Sequence, residues 1–240
     1  MAQATISVAP AVTDKSEQLC AAAASAATYS IHDDVGEVLF TKQQMAEKVV
    51  EMGKLLGKTY EGKAPVLMPI LKGGFIFAAD LIRALDPCPE DLVVEFVSAR
   101  SYGARTETSG TVQVSFDAEA VAGRHCLMVD DLCDSGLTLL TVRDQLLAAG
   151  TASVASVVLL DKRARRKVSY DPDFVCLDCP NHSVQGMGMD TVSYDPDFVC
   201  LDCPNQWVAG MGMDTNQRYR SMDYVAVLKP EAIQKAMHSA

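Results

Sequence analysis

Apolar positions along the chain change period several times, and each change predicts an element. Residues 1–35 are Ala-rich and weakly patterned, which predicts a disordered arm ahead of one domain spanning residues 36–240. From Thr41 the pattern sharpens. Thr41 and Gln44 can form a capping box, and Met45, Val49, Met52 and Leu56 recur at helical spacing. Residues 66–70 form an apolar run ending in Leu71-Lys72-Gly73-Gly74, after which Phe77, Ala78, Leu81, Ile82 and Leu85 restore the helical period. Buried strands are predicted over residues 92–98, 125–129 and 154–160, an alternating strand over 112–116 and a helix over 137–149 stopped by Gly150. Residues 101–110 read as a polar loop.

Strands alternating with helices predict an α/β fold, a doubly wound mostly parallel sheet flanked by helices. Ligands then sit beyond the carboxyl ends of the strands, in the turns.

Composition narrows the function classes. The 240 residues carry 21 Lys+Arg against 31 Asp+Glu, a net charge of −10. A chain this acidic is poorly suited to neutralise the phosphates of a nucleic acid. No run reaches the roughly 18 apolar residues of a membrane span, and no basic segment opens the chain as a leader. A cytoplasmic address is therefore expected, with its eight cysteines reduced.

One feature breaks the layout. Residues 168–191 and 192–215 are consecutive 24-residue copies differing only at His182/Gln206, Ser183/Trp207 and Gln185/Ala209. Two units are too few for a solenoid, so the repeat reads as an insertion into an already complete fold. It also places Cys176-x-x-Cys179 and Cys200-x-x-Cys203 at a spacing seen in four-cysteine zinc sites. Copying one pair generates the second, however, and Phe174-Val175-Cys176-Leu177 reads as strand, where residues three apart face opposite ways.

The richest segment is Val129-Asp130-Asp131-Leu132-Cys133-Asp134-Ser135-Gly136-Leu137-Thr138. A buried strand delivers three carboxylates, which repel one another unless a cation or hydroxyl-rich ligand joins them. The backbone N–H groups of Ser135, Gly136, Leu137 and Thr138, with two hydroxyls, can cradle a phosphate at the helix start. The plainer reading is that Asp134 or Ser135 caps the helix.

Residues 129–139 resemble the phosphoribosyl-pyrophosphate signature of the type I phosphoribosyltransferases. The chain from Thr41 to Leu228 is similar to the hypoxanthine-guanine branch of that family. The likeness takes in Leu71-Lys72-Gly73-Gly74, Ser101-Tyr102-Gly103, Leu160-Asp161-Lys162, Trp207-Val208-Ala209-Gly210 and the run from Asp214 to Arg220, in order. Ser135, Cys133 and Met211 depart from the usual Thr, aliphatic and aromatic residues.

The resemblance implies the type I phosphoribosyltransferase fold with a small hood subdomain, and Mg2+-dependent transfer of 5-phosphoribose to N9 of a 6-oxopurine. It implies that Asp130 and Asp131 hold the ribose hydroxyls directly or through metal, and that Ser135, Gly136, Leu137 and Thr138 bind the 5-phosphate. Asp134 becomes the general base at purine N7. Lys72, Gly73 and Arg220 lie at the pyrophosphate, with Asp214 near the metal, and the bond between Lys72 and Gly73 can turn cis. Ser101 and Tyr102 open a lid. Lys162 reads the 6-carbonyl, since an ammonium offers donors and no acceptor, while Trp207 stacks on the base beside Val208. A homodimer or homotetramer is implied as well. By themselves, Trp207 reads as a core residue and residues 163–167 as a solvated basic face. The competing class is a protein that keeps this fold for binding or regulation without turnover, because of the repeat between Lys162 and Trp207.

Overall fold

The computed structural model describes residues 30–102, 111–179 and 207–238. The chain divides into two units, Met1–Asp34 and Val35–Ala240. In the first, the described part ends in a 3-10 turn, Ile31–Asp34. The second begins with β1 (Val35–Phe40) and α1 (Lys42–Thr59). The predicted capping box is present: Gln44 N–H donates to Thr41 Oγ1 at 3.3 Å, and Thr41 N–H to Gln44 Oε1 at 2.9 Å. The face of α1 carrying Met45, Val49, Met52 and Leu56 is buried, as the 3.6-residue period requires.

There follow β2 (Val66–Leu71), α2 (Gly74–Ala84), β3 (Val93–Val94), β4 (Val97–Tyr102), β5 (Thr111–Ser115) and a single helical turn, α3 (Ala118–Val121). Next are β6 (His125–Cys133), α4 (Leu137–Ala148), β7 (Ser153–Lys162), a 3-10 turn Arg163–Arg165, and β8 (Phe174–Cys179). The described chain closes with β9 (Val208–Ala209), β10 (Val225–Leu228) and α5 (Pro230–His238). A seven-stranded sheet runs β5-β4-β2-β6-β7-β8, with β3 beside the start of β2. Only the β4–β5 pair is antiparallel. Chain order reverses between β2 and β6, and at such a switch point the loops part to leave a crevice.

Burial follows the pleat of the central strand. Leu127 and Val129 enter a core with Leu56, Phe77 and Leu81 of α1 and α2. Cys126 and Met128 point the other way, into a core with Leu139, Val142 and Leu146 of α4. With helices on both faces, residues 126–129 of β6 form an unbroken apolar run.

Several boundaries differ from the sequence expectation. Residues 92–98 are not one buried strand. Pairing with β2 lapses opposite Met68 and Pro69, a proline offers no N–H to a ladder, and Phe96 there is exposed. Ser101 and Tyr102 are not loop residues: they end β4, in register with Val112 and Thr111. The rest of the expected lid, residues 103–110, lies outside the described residues, as do residues 1–29. β6 continues through Cys133, which puts Asp130 and Asp131 inside the strand rather than in the turn. A second sheet, β1-β10-β9, is antiparallel and was invisible in the periodicity, because β1 buries only Phe40 and β9 has two residues.

The repeat is used in parts. The first copy supplies β8, paired with β7, whereas the second supplies β9 and Asp214. The first copy is thus no surface addition. Cys176 packs in the apolar core and burial pushes its thiol up, while Cys200 and Cys203 lie outside the described residues.

Ser156 of β7 ties the edge strand down. Its hydroxyl donates to Asp173 Oδ2 at 3.0 Å and accepts from Tyr170 OH at 2.7 Å and Asp173 N–H at 3.2 Å. These use every bonding capacity of a hydroxyl. Ser156→Ala leaves the buried Tyr170 phenol without its partner, and urea unfolding is expected to show a loss of about 1–3 kcal/mol.

Candidate active site

The turns after β2 and β6 meet the segment between β9 and β10. Gly73, the first residue before α2, sits where a side chain cannot: a Cβ there would lie 2.3 Å from Asp131 Oδ2. Gly212 adopts φ of +101°, and a Cβ on it would strike Gly73 O at 2.1 Å. Three strand ends therefore converge with backbone against carboxylate. The cis peptide bond at this place is Leu71–Lys72, one residue earlier than the Lys72–Gly73 bond expected from the family.

Around this contact two cations share one neutral acceptor. Lys72 Nζ donates to Gln217 Oε1 at 3.2 Å, and Arg220 Nη2 to the same oxygen at 3.4 Å. Arg220 also pairs with Asp214 Oδ1 at 2.6 Å and donates from Nη1 to Gly212 O at 2.5 Å. Asp214 Oδ2 accepts Gln217 N–H at 2.6 Å, which closes the ring of contacts. Gln217 was not singled out in the sequence; it is uncharged, and only its position three residues from both Asp214 and Arg220 hints at a role.

Asp130 and Asp131 lie side by side in β6, with Asp130 Oδ1 accepting Asp131 N–H at 3.0 Å. Burial pushes the Asp130 carboxyl well above the usual range, and the adjacent Asp131 adds to the rise. Burial raises Asp131 too, against the opposing pull of Arg220. Asp214 stands close enough to act on Asp131 but is engaged by Arg220. Among the described residues, no three acidic, cysteine or histidine side chains are grouped as a metal-holding set. Asp130 and Asp131 are thus gathered, and Asp214 is turned to a different partner.

Beyond Cys133 the chain makes a tight turn into α4. Gly136, with φ of +78°, is itself the N-cap and brings no side chain to it; Ser135 Oγ accepts Leu137 N–H at 3.3 Å from one residue outside the helix, so neither Asp134 nor Ser135 holds the cap position. Thr138 is half-buried in the first turn. Lys167 N–H donates to Ser135 O at 2.9 Å and braces the turn from outside. Asp134 Oδ2 pairs with Arg165 at 3.4 Å, whereas its Oδ1 is buried without a hydrogen-bond partner.

Residues 163–167 are largely the exposed basic face the sequence suggested, with Arg166 alone drawn inward. Asp161, fully buried at the end of β7, pairs with Arg163 at 3.2 Å and with Arg166. A carboxylate so far from water needs its countercharges, and the basic run folds back to supply them. Arg166 also donates to Tyr170 O. Lys162 is buried as the last residue of β7, beside β6 through the Asp161–Cys133 register. Trp207, at 42% exposure, is not a core residue, while Val208 next to it is buried in β9. Of Ser101 and Tyr102, only the strand position is described.

The chain is similar to known proteins over most of its length. Residues 37–191 match the model of the phosphoribosyl transferase domain. A hypoxanthine-guanine phosphoribosyltransferase of Lactococcus lactis is 35% identical over 84% of this chain and 95% of its own. Its namesake from Streptococcus thermophilus is 32% identical over 85% and 99%. The chain also matches 27% of the length of the Bifunctional protein TilS/HprT of Listeria innocua, at 35% identity. Among solved structures, a hypoxanthine phosphoribosyltransferase of Staphylococcus aureus superposes with a TM-score of 0.70 at 29% identity, covering 86% of this chain and 98% of that one.

The raised carboxyls carry a sign that stability measurements can read. A native carboxyl that holds its proton to higher pH than the unfolded chain makes stability fall as pH rises above about 4, the unfolded value. Asp130→Asn is therefore expected to unfold at higher urea than the native chain at pH 7 without divalent cations. The difference should vanish near pH 4. Titration of urea midpoints across that window measures it.

Proposed function

The chain belongs to the phosphoribosyltransferase family, in its hypoxanthine-guanine branch, and from that premise we propose that it transfers 5-phosphoribose from phosphoribosyl pyrophosphate to N9 of hypoxanthine or guanine. The products are IMP or GMP and pyrophosphate, and the activity is purine salvage. The observation that carries this reading is the meeting of Lys72, Gly73, Asp131, Asp214, Gln217 and Arg220 at the switch point of the sheet.

Each group then has work suited to its surroundings. Lys72, held 3.2 Å from a neutral amide oxygen, keeps its charge for an anion, and with Arg220, whose charge is divided with Asp214, it suits the departing pyrophosphate. The N–H groups of Gly136, Leu137 and Thr138 and the Ser135 and Thr138 hydroxyls suit the 5-phosphate; Ser135 would give up its bond to Leu137 N–H in doing so. Asp130 and Asp131 suit the ribose hydroxyls. Their burial also fits a Mg2+ ion, because two carboxylates pushed toward protonation gain most from a hard cation with oxygen ligands. Such an ion supplies charge neutralisation at the phosphate oxygens. Asp214 acts there through Arg220.

As the bond from C1 to pyrophosphate lengthens, positive charge grows on the ribose ring and the nearby carboxylates stabilise it. Purine N9 bonds to C1, and Asp134, with Oδ1 buried and unpartnered, takes the N7 proton. Lys162 donates to the 6-carbonyl, Trp207 stacks on the ring above Val208, and Ser101 and Tyr102 lead into a lid that keeps water from the cation. The protein works in the cytoplasm as a homodimer or homotetramer on this reading, with no nucleic acid or membrane partner. No described helix is long and apolar enough to cross a membrane. The competing reading, binding without turnover, drew on the repeat; β8 and β9 both form on either side of residues 180–206, which favours the enzyme.

Incubation with phosphoribosyl pyrophosphate, Mg2+ and each of hypoxanthine, guanine, xanthine and adenine tests the assignment. Nucleotide from hypoxanthine and guanine is expected, with adenine at least about 100-fold slower because Lys162 cannot accept from a 6-amino group. No nucleotide from any base, or equal use of adenine, would overturn it. Asp134→Asn should lower kcat by about 10²–10⁴-fold with little change in phosphoribosyl pyrophosphate binding. Unchanged kcat across the pH profile would remove Asp134 from the base role.

A further inference from the structure

The contacts that seat β8 come from a stretch present twice in the chain. Residues 168–181 and 192–205 are identical, and the three differences between copies all fall after them. In the slot beside β7, Phe174, Val175 and Leu177 pair with Val157, Val158 and Leu160. Cys176 and Leu177 enter the apolar core, and Tyr170 and Asp173 saturate Ser156. The Arg143 guanidinium lies 5.2 Å over the Tyr170 ring. Every one of these first-copy residues has an identical counterpart 24 positions on: Tyr194, Asp197, Phe198, Val199, Cys200 and Leu201.

We propose that the edge of β7 that β8 covers is a strand-binding site with two cognate occupants in the same chain, residues 168–179 and residues 192–203, and that the protein folds into two native forms. With the same side chains in the same order, the hydrophobic pattern admits the second copy only in the register of the first. The forms differ in what is looped out. Seating the first copy leaves residues 180–206, 27 in number, between β8 and Trp207. Seating the second leaves 24 residues, 168–191, between Lys167 and the strand, and only residues 204–206 before Trp207. Closure cost grows with the logarithm of loop length, so loops this similar favour neither form. The surplus residues lie next to the proposed purine side in one form. In the other they follow Lys167, whose N–H braces the Ser135 turn. Nothing in this exchange depends on the chemistry of the site.

The two forms also make removal of residues 168–191 and of residues 180–203 one and the same chain. That single-copy chain is the control. In it Leu177→Asp buries a carboxylate in the only available strand and should abolish the cooperative thermal transition. In the full chain, Leu177→Asp alone and Leu201→Asp alone should each unfold cooperatively within about 5 °C of the native chain, since the intact copy takes the slot. The double variant should behave like the control. Hydrogen exchange on a chain marked by Val175→Ile, so that the two copies differ in mass, should find protection in both. Leu177→Asp as damaging as the double variant with Leu201→Asp silent, both single variants as damaging as the double, a silent double variant, or protection confined to residues 174–179 would each overturn the proposal.

Discussion

Two adjacent carboxylates near the end of a buried central strand set the terms for this protein. Asp130 and Asp131 are carried by the same β6 backbone that delivers Leu127, Met128 and Val129 into two hydrophobic cores, so they cannot move to water without undoing the sheet. Their desolvation works against folding, and the surroundings limit the damage without cancelling it. Arg220 pulls the Asp131 carboxyl back, yet its own charge is divided with Asp214. A site left with unmet charge of both signs is one that a ligand with phosphate, hydroxyl and metal can complete.

The close approach at Gly73 follows from the same constraint. A carboxylate 2.3 Å from a would-be Cβ leaves room only for glycine, and the Gly212 backbone closes over the other side. Strands β9 and β10 of the second sheet contribute through this segment, since they flank Gly212, Asp214, Gln217 and Arg220 and bring them to strands of the main sheet. The two sheets are therefore coupled where the charges are, which is also where the chemistry is proposed.

Asp161 repeats the theme one strand away. It is fully buried and answered by Arg163 and Arg166, and the turn that carries these arginines also supplies Arg165 to Asp134 and Lys167 N–H to Ser135. A run of basic residues that looks like ordinary surface thus becomes the frame of the turn into α4. The edge strand that follows is fastened by Ser156, Tyr170 and Asp173 together with the core contacts of Cys176 and Leu177, and a fastening this local can be copied whole in a 12-residue stretch.

Periodicity and motif spacing by themselves determined the alternating strands and helices, the Thr41 capping box, the placement of the site in the turns beyond the strands and the family likeness, because all of these are set by local repeats of 2 and 3.6 residues and by contiguous residues. Asp130, Asp131, Asp134 and Ser135 could be singled out for the same reason. Tertiary structure alone decided how far β6 extends, that Ser101 and Tyr102 are strand, that Asp214 faces Arg220, and that Arg163 and Arg166 answer a buried charge. It also brought in Gln217, whose shared contact with Lys72 spans 145 positions of sequence. These outcomes depend on which charges lose their water, and loss of water is a property of the packed whole that no window of sequence contains.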